Sequence, residues 1–193
     1  GRICLRSGKH SYNIALIASI IAHDGKAAAE KWLRGLKANL ARKPQGNDRA
    51  QAKAVYEGVC DVAIANNYYM AKMMTNEKKP EQKKWAASVR LTYLNQMDRG
   101  QHMNISGVGV LKGAQNRAAA IKLIEFLSGD EAQKIYAEVN HEYPVKPGVA
   151  HSEIVRSWGG FKPDTLSIEI ISQHRAAASK LVDKVGFNDG PNS

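Results

Sequence analysis

Short apolar runs alternate along the chain with longer segments in which apolar residues recur every three or four positions. Runs of the first kind predict buried strands, and segments of the second kind predict amphipathic helices that bury one face. The predicted strands cover residues 2–6, 60–65, 89–94 and 105–110. The predicted helices cover residues 11–23, 26–40, 117–127, 130–139 and 168–185, with a further one from Asn47 or Asp48 and a short Met-rich one after Tyr69. This alternation is typical of an α/β fold in which most strands are parallel.

Glycine, serine and proline mark the ends of several predicted elements. Gly25 follows the helix at residues 11–23, and Gly186 follows the last helix, so both are expected at C-cap positions. Ser128 is a candidate N-cap for the helix at residues 130–139. Two prolines within residues 142–149 predict an irregular segment, and the tail at residues 188–193 is expected to fray.

The length of the apolar runs and the net charge bear on which classes of protein the chain can belong to. The chain has 193 residues, and its longest apolar stretch, residues 14–22, is less than half the roughly 20 residues that a membrane-spanning helix needs. Lys and Arg number 28 against 18 Asp and Glu, a net charge of +10, which favours an anionic partner without naming one. A nucleic acid is one such partner, but residues 1–59, in which Lys and Arg outnumber Asp and Glu, do not interleave aromatic and basic residues into a base-stacking surface.

The two cysteines leave two interpretations open. Cys4 and Cys60 each lie inside a predicted strand, and they can form a disulfide if those strands are neighbours. The alternative is a pair of buried free thiols, which are common in protein cores. The cysteines lack the C-x-x-C spacing of a zinc site, the histidines show no zinc-type pairing, and no nucleophile–base motif indicates an enzyme.

Two polar segments follow predicted strands, at positions where open α/β sheets bind ligands. The first is Asn66-Asn67-Tyr68-Tyr69, whose two phenols can face one crevice or can pack at the edge of an element with wet hydroxyls. The second, residues 7–13, contains Ser11, Tyr12 and Asn13 at the start of a helix, where free amides attract anions. Its spacing is not that of a P-loop, so a solvated helix N-cap is the simpler interpretation.

Five stretches of the chain resemble the periplasmic ferric-iron-binding proteins of iron ABC transporters, which have the type II periplasmic binding-protein fold. The stretches are residues 1–6 with Tyr12-Asn13, 58–69, 102–111, 120–128 and 136–145. The resemblance extends from Gly1 to about Gly186, and its most specific parts are Asn67-Tyr68-Tyr69 and the segment Asn-His-Glu-Tyr-Pro-Val at residues 140–145. It implies an α/β fold of two lobes with hinge crossovers and mixed, mostly parallel sheets.

The resemblance also implies a metal site. Paired tyrosines bind Fe(III) in this family, which assigns that role to Tyr68 and Tyr69, and a tyrosine-rich subgroup adds a third phenolate at the position of Tyr12. Fe(III) is a hard cation that suits anionic oxygen ligands and favours the phenolate form. A carbonate or another anion completes the iron shell in relatives with fewer tyrosines and is not expected to be required here. The candidates for outer contacts or for an anion are Ser11, Asn13, Asn66 and Lys72.

The same resemblance predicts a division into lobes. Residues 1–99 are expected in the second, C-terminal lobe, residues 100–148 in the first, N-terminal lobe, and residues 149–193 again in the second. Family members are longer, and their opening segment supplies a further ligand that no residue here matches. That segment is therefore expected to be missing from this chain.

The function implied by the resemblance is capture of ferric iron in the periplasm and its delivery to an ABC permease in the inner membrane. The protein is expected to be a monomer, to bind no nucleic acid and to catalyse no reaction. An oxidising compartment favours the Cys4–Cys60 disulfide. The alternatives are a solute-binding protein of the same fold for an anion or a polyamine and, from another class, a basic nucleic-acid-binding domain.

Overall fold

The computed structural model describes residues 1–191, and the chain divides into two units. Unit 1 combines residues 1–104 with the chain from Phe161 onward, and unit 2 is Ile105–Gly160. Both observed boundaries lie later in the sequence than the predicted crossovers after residues 99 and 148. The correspondence between these units and the two expected lobes stays a prediction.

The sheet of unit 1 has two parallel strands, β1 (Ile3–Leu5) and β2 (Val62–Ile64). Ile3 lies opposite Val62, and Leu5 lies opposite Ile64, so both strands end at the same edge. Both are shorter than predicted, and β2 is not buried on both faces, because the Val62 side chain is 52% exposed. The parallel pairing is the feature that positions the site described below.

Helices make up most of the remaining regular structure. They are α1 (Ser11–Ala38), α2 (Asp48–Tyr56), α3 (Tyr68–Met74), α4 (Glu81–Ala87), α5 (Arg117–Leu127), α6 (Asp130–Ile135), α7 (Glu153–Ser157) and α8 (Ile168–Val185), with a π-helical turn at Tyr136–Asn140 and a 3₁₀ turn at Phe187–Asp189. Gly25, at φ 81° and ψ 166°, breaks α1 where the sequence predicts one helix to end and the next to begin. Gly186 ends α8 in the left-handed conformation, as predicted.

The main core of unit 1 lies where α1 packs against α8. Ile17 and Leu33 from α1, Val182 from α8 and Phe187 from the following turn are almost completely buried there. The apolar side chains that recur at helical spacing in α1 and α8 therefore face the interior, as predicted. This contact fixes the helix that begins with Ser11 and Tyr12, next to the carboxyl end of β1.

A second cluster holds the shorter helices near β2. Met73 of α3 is 2% exposed and packs with Ala52 of α2 and Ala86 of α4. Because Ala71 and Met73 are the buried residues of α3, the side chains of Tyr68 and Tyr69 are left only partly covered at the start of this helix. Met73, with Met70 packed against the same cluster, thus fixes the orientation of α3.

Cys4 and Cys60 are joined by a disulfide in the structure, with Cα atoms 6.0 Å apart. Both residues are 1% exposed and pack against Ala54 of α2. Cys60 lies just before β2, and Cys4 lies opposite Ala63 in the strand register. The bridge therefore links β1 to the segment that leads into β2, and α2 covers it.

The strands predicted at residues 89–94 and 105–110 are wrong for this structure. Within the described residues neither segment pairs with another strand, and a strand needs a neighbour to satisfy its backbone groups. Tyr93 instead stacks on Phe161, with ring centroids 4.4 Å apart. Ile105 and Val108 are more than half exposed.

The two segments that connect unit 1 to the residues of unit 2 are paired with each other. Gln101 forms a parallel bridge with Pro163, donates its backbone N–H to Lys162 O and accepts from the N–H of Asp164, each at 2.8 Å. Gly100 has φ +93°, and a Cβ at this position would lie 2.5 Å from the carbonyl oxygen of Pro163. Only glycine fits here without moving the backbone.

Unit 2 contains α5, α6 and α7, and its details correct one prediction. α5 has the predicted bounds, but none of its described residues is buried. The helix predicted at residues 130–139 is α6 continued by the π-helical turn, and its N-cap is Gly129 rather than Ser128. The Ser128 hydroxyl donates instead to the carbonyl oxygen of Ile124, 2.9 Å away, at the end of α5. The segment at residues 142–149 is irregular, as predicted.

The predicted frayed tail begins in an ordered turn. Asn188, in the 3₁₀ turn, accepts hydrogen bonds through Oδ1 from the backbone N–H of Gly8 at 2.8 Å and from the hydroxyl of Ser7 at 3.3 Å. These contacts tie the chain after α8 to the loop between β1 and α1. Residues 192–193 lie outside the described part of the chain.

Candidate metal centre

Two connections bring tyrosines to the same edge of the sheet. The loop after β1 leads into α1, whose second residue is Tyr12, and the loop after β2 leads into α3, which begins with Tyr68 and Tyr69. Because β1 and β2 are parallel, both loops leave the sheet at its carboxyl edge. The topology of the sheet thus places residues from distant parts of the sequence side by side.

The three tyrosines predicted as ligands are close together in the structure. The hydroxyl oxygens of Tyr12 and Tyr68 are 3.2 Å apart and form a hydrogen bond. The ring of Tyr69 stacks on that of Tyr68, with centroids 4.2 Å apart and an angle of 29° between the planes. All three side chains are half-buried. This arrangement presents phenol groups from two helix starts to one small region, while their role as ligands stays a prediction.

The surroundings raise the pKa of two of these phenols, those of Tyr68 and Tyr12. Burial raises the pKa of Tyr68 above its ordinary value, and hydrogen bonding with Tyr12 and Tyr69 raises it further. The hydrogen bond with Tyr68 lowers the pKa of Tyr12, but burial and the neighbouring Tyr69 outweigh that effect, so this pKa is raised as well. A highly charged cation that binds the phenolate oxygens must therefore displace protons from the site.

A positively charged side chain lies over each tyrosine ring. The guanidinium carbon of Arg6 is 5.3 Å from the ring centre of Tyr12, and that of Arg49 is 4.8 Å from the ring centre of Tyr69. Lys72 Nζ is 5.1 Å from the ring centre of Tyr68. Each contact is a cation–π interaction, which holds the tyrosine ring against the charged side chain.

Lys72 is among the residues predicted from the sequence to contact the site, whereas Arg6 and Arg49 are not. Arg6 ends an apolar run, and Arg49 lies in the first turn of α2, so both resemble ordinary surface charges in the sequence. Neither belongs to a motif with a known spacing. Only the folded chain shows that each lies over a tyrosine.

The other predicted polar residues organise the loops around the site. Asn13 is buried, and its Nδ2 donates to the carbonyl oxygens of Arg6 at 2.9 Å and Ser7 at 3.0 Å. Asn66 Oδ1 accepts from Asn104 Nδ2 at 2.9 Å. Ser11 is exposed at the first position of α1. Asn13 thus fixes the loop that leads into Tyr12, and Asn66 ties the loop before Tyr68 to Asn104.

His10 is the N-cap of α1, a role that the sequence did not assign to it. Its Nδ1 accepts a hydrogen bond from the backbone N–H of Tyr12 at 3.3 Å, and its ring packs edge-on against the Tyr12 ring, with centroids 4.4 Å apart. This bond engages one of the free amides at the start of α1. His10 thereby fixes both the backbone and the ring of Tyr12.

The donor set suits a hard, highly charged cation. Within residues 1–191 no group of three or more His, Cys, Asp and Glu side chains could hold a metal ion. The clustered phenols are therefore the candidate ligands, and anionic oxygen ligands match Fe(III) better than a soft metal.

Among the helices of the described residues, none is long and apolar enough to cross a membrane.

Residues 1–157 match the family described as bacterial extracellular solute-binding protein. Among curated relatives, iron uptake protein A1 from Synechocystis sp. is 43% identical over 97% of this chain and 52% of its own length. The chain spans about half the length of the curated relatives that it matches.

Two solved structures are similar to nearly all of this chain. The apo ferric ion-binding protein A of Pasteurella haemolytica matches with a TM-score of 0.93 and 52% identity, covering 97% of this chain and 58% of that protein. The Trichodesmium protein IdiA (FutA), solved in complex with iron and citrate ligands, matches with a TM-score of 0.91 and 44% identity, covering 96% of this chain and 58% of that protein.

Proposed function

Because the chain belongs to the bacterial extracellular solute-binding proteins, with the type II periplasmic binding-protein fold, we propose that it binds Fe(III) in the periplasm and delivers it to an ABC permease. Relatives named as iron uptake and ferric iron-binding proteins support this assignment. These names describe iron uptake and iron binding, so the proposed role is binding and release without catalysis. The protein is proposed to act as a monomer.

The function rests on the convergence of three phenols at one edge of the sheet. The Tyr12 and Tyr68 oxygens are 3.2 Å apart, and Tyr69 stacks on Tyr68. Three phenolates balance the charge of one Fe(III), so the metal and these three ligands together carry no net charge. Arg6, Arg49 and Lys72 lie over the three tyrosine rings and hold them in place through cation–π contacts. The site thus binds a trivalent cation in exchange for protons and has little affinity for divalent or soft metals.

A carbonate or another anion is not required for iron binding in this proposal. The Tyr12 side chain occupies space at the start of α1, and His10 caps one of the helix amides that would attract an anion. The citrate in the Trichodesmium structure is a ligand of that protein. Here, iron supplied as a weak chelate should transfer to the tyrosines whether carbonate, phosphate and citrate are present or not.

A competition titration tests the proposed function. The purified protein is titrated with Fe(III) supplied as the nitrilotriacetate complex, and bound iron is followed by the visible phenolate-to-iron charge-transfer band. We expect one equivalent of iron, a coloured complex and the same stoichiometry in carbonate-free buffer. Parallel titrations with spermidine, phosphate and a DNA duplex cover the alternative ligands. Tight binding of one of these without a coloured iron complex would contradict the proposal.

A further inference from the structure

The carboxylate of Asp48 joins the two strand ends from which the tyrosine segments start. Asp48 is the first residue of α2, and its side chain is 1% exposed. One carboxylate oxygen, Oδ2, accepts a hydrogen bond from Arg6 Nη1 in a buried ion pair. The other, Oδ1, accepts from the backbone N–H of Asn66 at 2.9 Å. Arg6 directly follows β1, and Asn66 follows β2, so one side chain bonds to both ends.

Each partner of Asp48 is coupled to a tyrosine. The guanidinium of Arg6 lies over the ring of Tyr12, and its backbone carbonyl accepts from Asn13 in the first turn of α1. The backbone carbonyl of Asn66 accepts from the N–H of Tyr69 at 3.4 Å, in the turn that starts α3. A shift of Arg6 relative to Asn66 would therefore change the spacing between Tyr12 and the Tyr68–Tyr69 pair.

Burial makes this link rigid. A buried carboxylate is costly unless it is paired and hydrogen-bonded, and Asp48 has a guanidinium, a backbone amide and the favourable end of the α2 dipole. Charge-assisted hydrogen bonds of this kind are stronger than neutral ones and restrict the geometry of their partners. Loss of any one partner leaves the others buried with unsatisfied groups.

We propose that Asp48 is a positioning residue for the iron site, which fixes the distance between Tyr12 and the Tyr68–Tyr69 pair before the metal arrives. The inference rests on the proposed function, since it assumes that these tyrosines bind Fe(III). It assigns Asp48 no contact with the metal. A site whose ligands are already spaced for the ion does not spend binding energy on ordering them, so the contribution of Asp48 appears as iron affinity.

A matched pair of aspartates provides the test. Asp61 bonds to Arg2 at the opposite end of the same two strands, with Arg2 Nε 2.6 Å from Asp61 Oδ2, and this pair is exposed. Asp48→Asn and Asp61→Asn therefore make the same chemical change at the two ends of one strand pair. We expect Asp48→Asn to lower the affinity for Fe(III) by about tenfold or more and to shift the charge-transfer band. Asp61→Asn should leave both unchanged.

A double-mutant cycle with Tyr12→Phe separates positioning from a general loss of stability. If Asp48 acts through the placement of Tyr12, Asp48→Asn lowers iron affinity less in the Tyr12→Phe protein than in the unmodified one. Where circular dichroism shows that Asp48→Asn does not fold, Arg6→Gln breaks the same link from its other side and is measured in the same way. The expected loss of affinity and band shift are the same.

The outcomes distinguish this inference from the proposed function. Normal iron affinity and an unchanged band in a folded Asp48→Asn protein, or equal losses with and without the Tyr12 hydroxyl, would overturn the role of Asp48 alone. Failure of the unmodified protein and of Asp61→Asn to bind iron would overturn the proposed function, and the inference with it. Loss of affinity confined to the Asp48 and Arg6 variants is the result that the structure predicts.

Discussion

Tyr68→Phe should lower the affinity for Fe(III) by at least about 100-fold, because loss of a direct ligand should exceed the 10–100-fold typical of outer-shell contacts. The change removes one oxygen and keeps the ring that stacks on Tyr69. It also removes the hydrogen bond to Tyr12, whose net contribution to the free energy of unfolding is about 1 kcal/mol. A chelator competition measures the affinity, and urea unfolding measures the stability.

The other Tyr→Phe variants are expected to differ in how much iron affinity they lose. Tyr69→Phe should match Tyr68→Phe, while Tyr12→Phe should weaken iron binding somewhat less. Tyr56→Phe is the control, because Tyr56 is half exposed on α2 and is not one of the three clustered tyrosines. Normal iron loading by both the Tyr68 and the Tyr69 variants would contradict their assignment as ligands.

Reduction of the Cys4–Cys60 disulfide should lower the free energy of unfolding by about 2–4 kcal/mol, since the bond closes a long loop and restricts the unfolded chain. The two cysteines are 56 residues apart in the sequence, and both are buried beneath α2. Urea unfolding with and without a reductant measures the difference. A Cys4→Ala/Cys60→Ala protein is the control, and its stability should not respond to the reductant.

Thiol counting tests the same bond chemically. The protein, produced in an oxidising compartment and denatured without a reductant, should show no reactive thiol, and two should appear after reduction. Two free thiols before reduction would show that the bond does not form in the cell. The alternative of two buried thiols, which the sequence leaves open, would then hold.

Local signals predicted the helices better than the strands. The helix at residues 168–185 has the predicted bounds, because its apolar stripe and the stop at Gly186 are both local signals. The structure adds an N-cap at Ser167, whose side chain accepts from the backbone N–H of Ile170. A strand depends on a partner that lies elsewhere in the sequence. Residues 89–94 and 105–110 have the apolar composition of strands but pair with no strand in the described chain.

The site could be predicted only in part for a similar reason. Tyr68 and Tyr69 follow an apolar strand directly, and this position at the end of a parallel strand indicates a ligand crevice. Asp48, Arg6 and Arg49 carry no such signal, because charged residues outside a motif are normally solvated. The burial of Asp48 and the contacts of all three residues with the tyrosine segments come from the packing of α2 beside both strand ends.

A crystal structure of the iron-loaded protein, with anomalous diffraction data collected at the iron absorption edge, tests the central claim most directly. We expect one strong anomalous peak within coordination distance of the hydroxyl oxygens of Tyr12, Tyr68 and Tyr69. The two strands and the Asp48 link should keep the arrangement described above. A peak away from these oxygens, or iron bound only to surface carboxylates, would contradict the assignment of this site.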